Sequence, residues 1–300
     1  MLVPLALPEG LWARPLTPRD AATVTALVAA QELADVGGIG IEEADLVADW
    51  QHPGYDVTAC SVGVFAGDRL VAYAELGGER AEAAVHPDHR GRGLGTALAT
   101  WLQELARRHG RTTLRLAMPE GSPGDLLLAR LGFEVDWTIW SLRLPAGATV
   151  PSRALPEGYA VRAATEDEHA VCWTVTEEAF AEWSGRERAT FEEWASAVTH
   201  RPGFEPWHLR VVTDPTGVVV AVAVLQMSPG VGYVSRLATR RDQRGLGLAQ
   251  VLLVDCFARA TERGATTCEL STDTRTGALG LYEKVGMQVA STWVVRGRRL

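Results

Sequence analysis

Apolar positions divide the chain into short β-branched runs and longer stretches in which apolar residues recur every three or four positions. In the second half, Tyr159–Ala163 reads as a short strand. Glu166–Glu182 has helical spacing through Val171, Val175, Ala179 and Phe180. Leu209–Thr213 and Val218–Leu225 are β-branched runs separated by Asp214-Pro215-Thr216-Gly217, which predicts a hairpin. Gly232–Thr239 predicts a further strand and Leu248–Arg263 a helix, closed by Gly264 as a left-handed cap. Arg259 and Arg263 suit the negative end of its dipole. Thr266–Ser271, Thr276–Val285 and Gln288–Val295 complete the series as strand, helix and strand.

The first half follows the same order because the chain repeats itself. A shift of 154 residues aligns Arg90–Val135 with Arg244–Val289 without a gap, matching Gly91 to Gly245, Gly93 to Gly247, Leu98 to Leu252 and Gly132 to Gly286. Upstream the offset is slightly smaller: Val71-Ala72-Tyr73-Ala74 meets Val220-Ala221-Val222-Ala223. A period this long indicates domain duplication and not a solenoid. Residues 145–158, rich in Pro and Gly and without periodicity, predict a connection. The expected layout is a first domain over 1–146, a linker over 147–157 and a second domain over 158–300. Each is expected to be mixed α/β, mostly strands with one helix crossing over after a glycine-rich turn.

Composition narrows the functional classes. The net charge of −8 argues against nucleic acid or an anionic membrane as the main partner. Cys60, Cys172, Cys256 and Cys268 are far apart, with no C-x-x-C pair, and the histidines show no H-x-x-x-H. Neither a metal site nor a disulfide framework is expected, and the cysteines fit a reducing compartment. The start carries Pro4 and Pro8 without a basic stretch, unlike a signal peptide, and the longest apolar run, Val218–Leu225, is too short to span a bilayer. A cytoplasmic protein is the expectation.

The informative feature is the glycine-rich turn. In the first copy the strand ending at Val85 runs into H-P-D-H-R-G-R-G-L-G-T-A-L. In the second, the strand ending Leu237-Ala238-Thr239 runs into R-R-D-Q-R-G-L-G-L-A-Q-V-L. The shared pattern is Arg-x-x-Gly-x-Gly/Ala at a strand-to-helix junction. It comprises Arg90, Gly91, Gly93 and Gly95, then Arg244, Gly245, Leu246, Gly247, Leu248 and Ala249. Missing Cβ atoms let the backbone approach a pyrophosphate, while free N–H groups and the positive helix end hold its charge. No Gly-Lys-Ser/Thr follows, so the turn is no Walker A loop, and the context fits a dinucleotide fingerprint poorly.

These segments resemble the acetyl-CoA signature of the GNAT (Gcn5-related) N-acetyltransferases, and T-G-A-L-G-L-Y-E-K-V-G-M resembles the family's late helix with its tyrosine. The resemblance covers nearly the whole chain as two consecutive domains, a layout similar to that of mycothiol synthase-like tandem proteins of actinobacteria. It implies an α/β (α+β) fold in each domain: a mixed, mostly antiparallel sheet that splays open after its fourth strand, flanked by helices, with the acetyl-thioester arm in the splay. It also implies acetyl-CoA as acyl donor and both loops as its contacts.

Departures from the family pattern divide the chemistry. Leu128 stands in the first copy where the second has Tyr282. The resemblance makes Tyr282 the group that protonates the CoA thiolate and the second domain the catalytic one. Eleven residues before the loop arginine, at a strand position that carries a basic glutamate in some family members, the first copy has Glu79 and the second Tyr233. Glu178 and Glu182, on the first helix of the second copy, are the candidate proton acceptors there, with the carboxylate of Leu300 or a water as alternatives. Phe180, Trp183, Phe191, Trp194, Phe204 and Trp207 crowd the segment expected to receive the acceptor. The expected activity is acetyl transfer to the amine of a small molecule by direct attack in a ternary complex. The alternatives are a non-catalytic acyl-CoA-binding sensor and an acetyltransferase for a protein or peptide amine.

Overall fold

The computed structural model describes residues 5–52, 54–77, 80–182 and 188–300. Glu79 and Trp183 lie outside the described residues. The chain forms two compact units: one runs to Thr138 and includes Thr292–Leu300, and the other is Ile139–Ser291. The boundary expected near residues 147–157 falls inside the second unit.

The first unit carries β1 (Leu11–Arg14), α1 (Ala21–Val36), α2 (Glu43–Trp50), α3 (Val57–Cys60), β2 (Ser61–Ala66), β3 (Arg69–Leu76), β4 (Ala81–Val85), α4 (Leu94–Arg108), β5 (Thr113–Pro119), α5 (Pro123–Arg130) and the start of β6 (Glu134–Arg143). β1 to β4 pair in order, all antiparallel. β4 then meets β5 in parallel at Ala81 and Leu116. On one face Leu98, Leu102, Leu116 and Phe133 bury α4 and α5 against the sheet. On the other, Val24, Leu27, Leu46 and Tyr73 bury α1 and α2.

The second unit repeats this plan with β7 (Ala160–Ala163), α6 (His169–Phe180), α7 (Phe191–Ala197), β8 (Leu209–Thr213), β9 (Val219–Ser228), β10 (Val231–Thr239), α8 (Leu248–Glu262), β11 (Thr267–Asp273), α9 (Leu279–Lys284) and the start of β12 (Gln288–Arg299). The predicted hairpin forms because Asp214 accepts hydrogen bonds from the backbone N–H groups of Thr216 (2.9 Å) and Val218 (3.1 Å), while Gly217 takes φ +84°. Gly264, at φ +93°, follows α8 as expected. Leu252, Cys256 and Phe257 pack one face, and Cys172, Trp194 and Val211 the other.

The last strand of each sheet departs from the sequence order. Trp293–Arg299 of β12 pairs antiparallel with β5 in the first unit, and Ile139–Arg143 of β6 pairs antiparallel with β11 in the second. Each repeat thus completes the other's sheet. Two duplicated strands with similar apolar patterning can fill either slot, so the local sequence did not separate exchange from self-closure.

Candidate active site

The glycine-rich turn forms in both units with the same backbone. In the first, Gly91 and Gly93 lie at φ +74° and +82°. In the second, Gly245 and Gly247 lie at +81° and +80°. An L side chain is strained in this region, which accounts for glycine at all four positions. Gly93 and Gly247 are the N-caps of α4 and α8, and no side chain caps either helix. The first-turn N–H groups therefore remain available to an anion.

What lies beside each turn differs. In the first unit β4 and β5 separate after Ala81, and the splay opens a cavity of about 330 Å³. Ala83 and Val85 of β4, Leu116 and Met118 of β5 and Leu128 of α5 line it, with Gly91 and Gly93 at its mouth. Gly95 admits the side chain of Leu127, which a Cβ would meet at 2.7 Å. An apolar slot leading to an N–H-rich turn suits the slender arm and diphosphate of an acyl-CoA, and a Cβ on Gly91 or Gly93 would meet no atom within 4 Å.

In the second unit the side chain of Arg153 lies over Gly247, where a Cβ would collide with it. The segment around it is docked: Gln250 donates to the carbonyl of Pro151 at 2.6 Å, and Val150 is buried in the same cluster as Tyr282. The hydroxyl of Thr239, at the end of β10, is buried without a hydrogen-bond partner. A buried hydroxyl lacking a partner next to the glycine-rich turn fits a site that a polar ligand completes. Leu237 and Ala238, beside it, pack into the cores on opposite faces.

The loop arginines are held by carboxylates. Arg90 forms a two-pronged pair with Asp35 at 2.8 and 3.0 Å, and Arg244 one with Glu182 at 2.9 and 2.8 Å. In these positions both guanidinium groups are engaged by carboxylates. Glu182 is accordingly a poor proton acceptor, because the Arg244 hydrogen bonds hold its carboxyl below the usual range. Glu178 is exposed, whereas its neighbour Glu177 is buried and accepts from the backbone N–H of Ala189 at 2.9 Å. The carboxylate of Leu300 belongs to the first unit, where the residue's N–H donates to Thr112.

Tyr282 is 8% exposed, packed in the α8–α9 core. Burial, with Tyr233 nearby, pushes its phenol up to about 12, so it stays protonated across the neutral range. Of the aromatic segment, Trp194 is buried, Phe191 stacks on it at 6.0 Å, and Phe180 and Phe204 pack against the same core. Trp207 lies under the guanidinium of Arg263 at 3.9 Å. Among the described residues these side chains serve packing, and no group of His, Cys, Asp or Glu is placed to hold a metal ion. No described helix is long and apolar enough to cross a membrane.

One polar group escaped sequence reasoning. Glu75 is 5% exposed on β3 and accepts from Trp50 Nε1 at 2.7 Å and Tyr55 Oη at 3.4 Å. Its signal was visible: a carboxylate inside the otherwise apolar run Val71–Leu76 demands a burial partner.

The model of the acetyltransferase (GNAT) family matches residues 29–133 and again 164–287. The mycothiol acetyltransferase of Salinispora arenicola is 30% identical over 300 residues, 90% of this chain and 91% of that protein. The mycothiol acetyltransferase of Frankia casuarinae is 37% identical over 166 residues. That alignment spans 51% of this chain and less than half, 44%, of the Frankia protein. The crystal structure of a GCN5-related N-acetyltransferase from Sphaerobacter thermophilus superposes with a TM-score of 0.76 at 29% identity, covering 98% of this chain and 97% of that one. With the signature turn present twice and the family's pattern matched over both repeats, the chain belongs to the GNAT acetyltransferase family as a tandem member.

Proposed function

We propose that this chain is an acetyl-CoA-dependent N-acetyltransferase that acetylates the amine of a small molecule by direct attack in a ternary complex. The carrying observation is the apolar cleft of about 330 Å³ that ends on an uncapped helix and two positive-φ glycines. An acyl thioester arm fits the slot and its diphosphate fits the turn. The relatives named mycothiol acetyltransferase favour an acceptor of mycothiol-type chemistry over a protein amine.

In the second unit Tyr282 is the proton donor of this reading. The acceptor nitrogen attacks the thioester carbonyl, the C–S bond breaks, and the departing thiolate takes a proton. A phenol held neutral by burial supplies that proton without competing for it beforehand. The described part of β10 carries no carboxylate, so the acceptor's own proton leaves by water or through exposed Glu178. Both substrates must be bound together, which initial-velocity patterns read directly. Intersecting lines for CoA release against acetyl-CoA and amine are expected. Parallel lines would replace direct attack by an acyl-enzyme, and acetyl-CoA binding without thiol release from any amine would make the chain a sensor.

A further inference from the structure

The geometry points to a second acceptor site, in the first unit: Glu75 takes the proton of a primary ammonium group bound among Trp50, Tyr55 and Tyr73, beside the acyl cleft. The inference rests on acetyl-CoA as the donor, and the duplication supplies its control. At the offset that aligns Val71–Ala74 with Val220–Ala223, Glu75 corresponds to Val224, which is 1% exposed in the second unit. A strand position that packs well as valine in one copy has become a buried carboxyl in the other. Tyr73 likewise corresponds to Val222. Packing alone explains neither change.

The carboxyl is arranged for a ligand. Trp50 and Tyr55 both donate to Oε2, and no described residue donates to Oε1. Across the ladder the register partner of Glu75 is Glu82, whose Oε2 accepts from Tyr73 Oη at 3.1 Å. Like charges directly opposite on a sheet repel, so the pair calls for a proton or a cation between them. Aromatic rings around carboxylates provide the surroundings that hold an ammonium group.

The position relative to the donor follows from the chain. Glu82 is the first residue of β4 beyond Ala81, where β4 leaves β5; it shares the α1 face with Tyr73 and Glu75, while Ala83 lines the cleft from the other face. Gln31 and Asp35 of α1 also line the cleft, so it opens through the splay onto the face that carries Tyr73 and Glu75. An amine entering past exposed Glu82 would therefore meet a thioester lying in the splay. The ammonium gives one proton to Glu75 and the free amine attacks the carbonyl carbon. The C–S bond breaks, and the second nitrogen proton leaves with sulfur as CoA thiol. Leu128 can donate nothing, so this centre uses the substrate's own proton where the second unit has Tyr282.

Burial, with Glu82 next and Asp49 a smaller contribution, pushes the Glu75 carboxyl up to about 8. The hydrogen bonds from Trp50 and Tyr55 act against this. Tyr55, Tyr73 and the Cys60 thiol, which also face this group, are all raised by burial and stay neutral. A proton acceptor must be ionised, so kcat/KM should rise as pH climbs through that value.

The test uses the full chain with tyramine, an aromatic primary amine, as probe. Tyramine titrated without acetyl-CoA should bind wild type, and Glu75→Gln should weaken it at least tenfold. In a Tyr282→Phe background, residual tyramine-dependent thiol release should fall at least a hundredfold when Glu75→Gln is added, with acetyl-CoA affinity unchanged within twofold. Tyr55→Phe removes a hydrogen bond to the ionised carboxyl, so it should shift the acid limb of the residual activity to higher pH with the fold retained. Tyramine affinity indifferent to Glu75→Gln, no residual release in Tyr282→Phe, or an unmoved acid limb in Tyr55→Phe overturns the proposal. Failure of acetyl-CoA to bind wild type at all would strike the donor assignment instead, since the tyramine titration does not use it.

Discussion

In the first unit the glycine-rich turn faces open space and a cleft. In the second the same turn, with φ values matching to within about ten degrees, lies under Arg153. Duplication preserved the backbone of the turn, and what differs is a side chain within the repeat: Ala6–Gly10 matches Ala154–Gly158 residue for residue, so Arg153 stands where the first copy has Leu5. The reacting groups differ in a complementary way. The first unit has a buried carboxyl at Glu75 and an apolar Leu128. The second has Val224 and the phenol of Tyr282. On the proposed reading, a scaffold copied once carries proton removal in one unit and proton donation in the other.

The sharpest way to break this comparison is Tyr282→Phe. The ring stays in the α8–α9 core and only the hydroxyl goes, so stability should hold. Turnover with the second unit's acceptor should fall by roughly two to four orders of magnitude, the usual contribution of one acid–base group. Acetyl-CoA affinity should change little, because the ground-state thioester needs no proton. A turnover within a few-fold of wild type would move proton donation to water and leave the tyrosine a packing residue.

A stability measurement asks whether the two loop arginines do the same job. Asp35 is 4% exposed at its side chain, whereas Glu182 is 41% exposed. Removing Arg90 strands a buried carboxylate, which costs about 2 kcal/mol after allowing for the quarter of Arg90 that meets solvent. Removing Arg244 breaks a surface pair worth roughly 0–1 kcal/mol. Urea denaturation of Arg90→Gln and Arg244→Gln should therefore separate clearly, with the second close to wild type and the small difference vanishing in high salt. Equal losses would mean that the first-unit pair is as solvated as the second.

Most elements were legible because their signals are local. The hairpin at Asp214–Gly217, the glycine-rich turns at Gly93 and Gly247, the cap at Gly264 and the periodicity of α8 each depend on a few adjacent residues. The strand exchange was not, since β6 and β12 present the same kind of pattern to either sheet edge. The pairing of Glu182, a candidate proton acceptor, with Arg244 was not legible either, because the two lie 62 residues apart. For the aromatic segment, composition cannot say which face each ring covers. Trp194 and Phe191 turn inward with the core of α6 and α7. Arg153 went unnoticed for a similar reason: a Pro-rich stretch without periodicity reads as a connection, while its docking depends on Val150 and on Gln250, 99 residues beyond Pro151.

The smallest expected effect tests what Arg153 does. Its guanidinium sits at the positive end of α8, beside a turn that also carries Arg240, Arg241 and Arg244. Cation next to helix N-terminus is unfavourable by itself, and a diphosphate in the turn would reverse the sign. Because Arg153 is exposed and tethered two residues after Pro151, a modest swing lets it flank the bound anion while the main chain stays docked. A charge-assisted hydrogen bond at such an exposed site contributes about 1 kcal/mol, roughly fivefold in affinity. Arg153→Ala should therefore weaken acetyl-CoA binding in the second unit by about that factor, leave the first unit's affinity alone and flatten the salt dependence of the weakened site. The measurement is a calorimetric titration with acetyl-CoA at two salt concentrations. Tighter binding in the variant would make Arg153 a plug that the donor displaces, and the second unit a site closed in the resting chain.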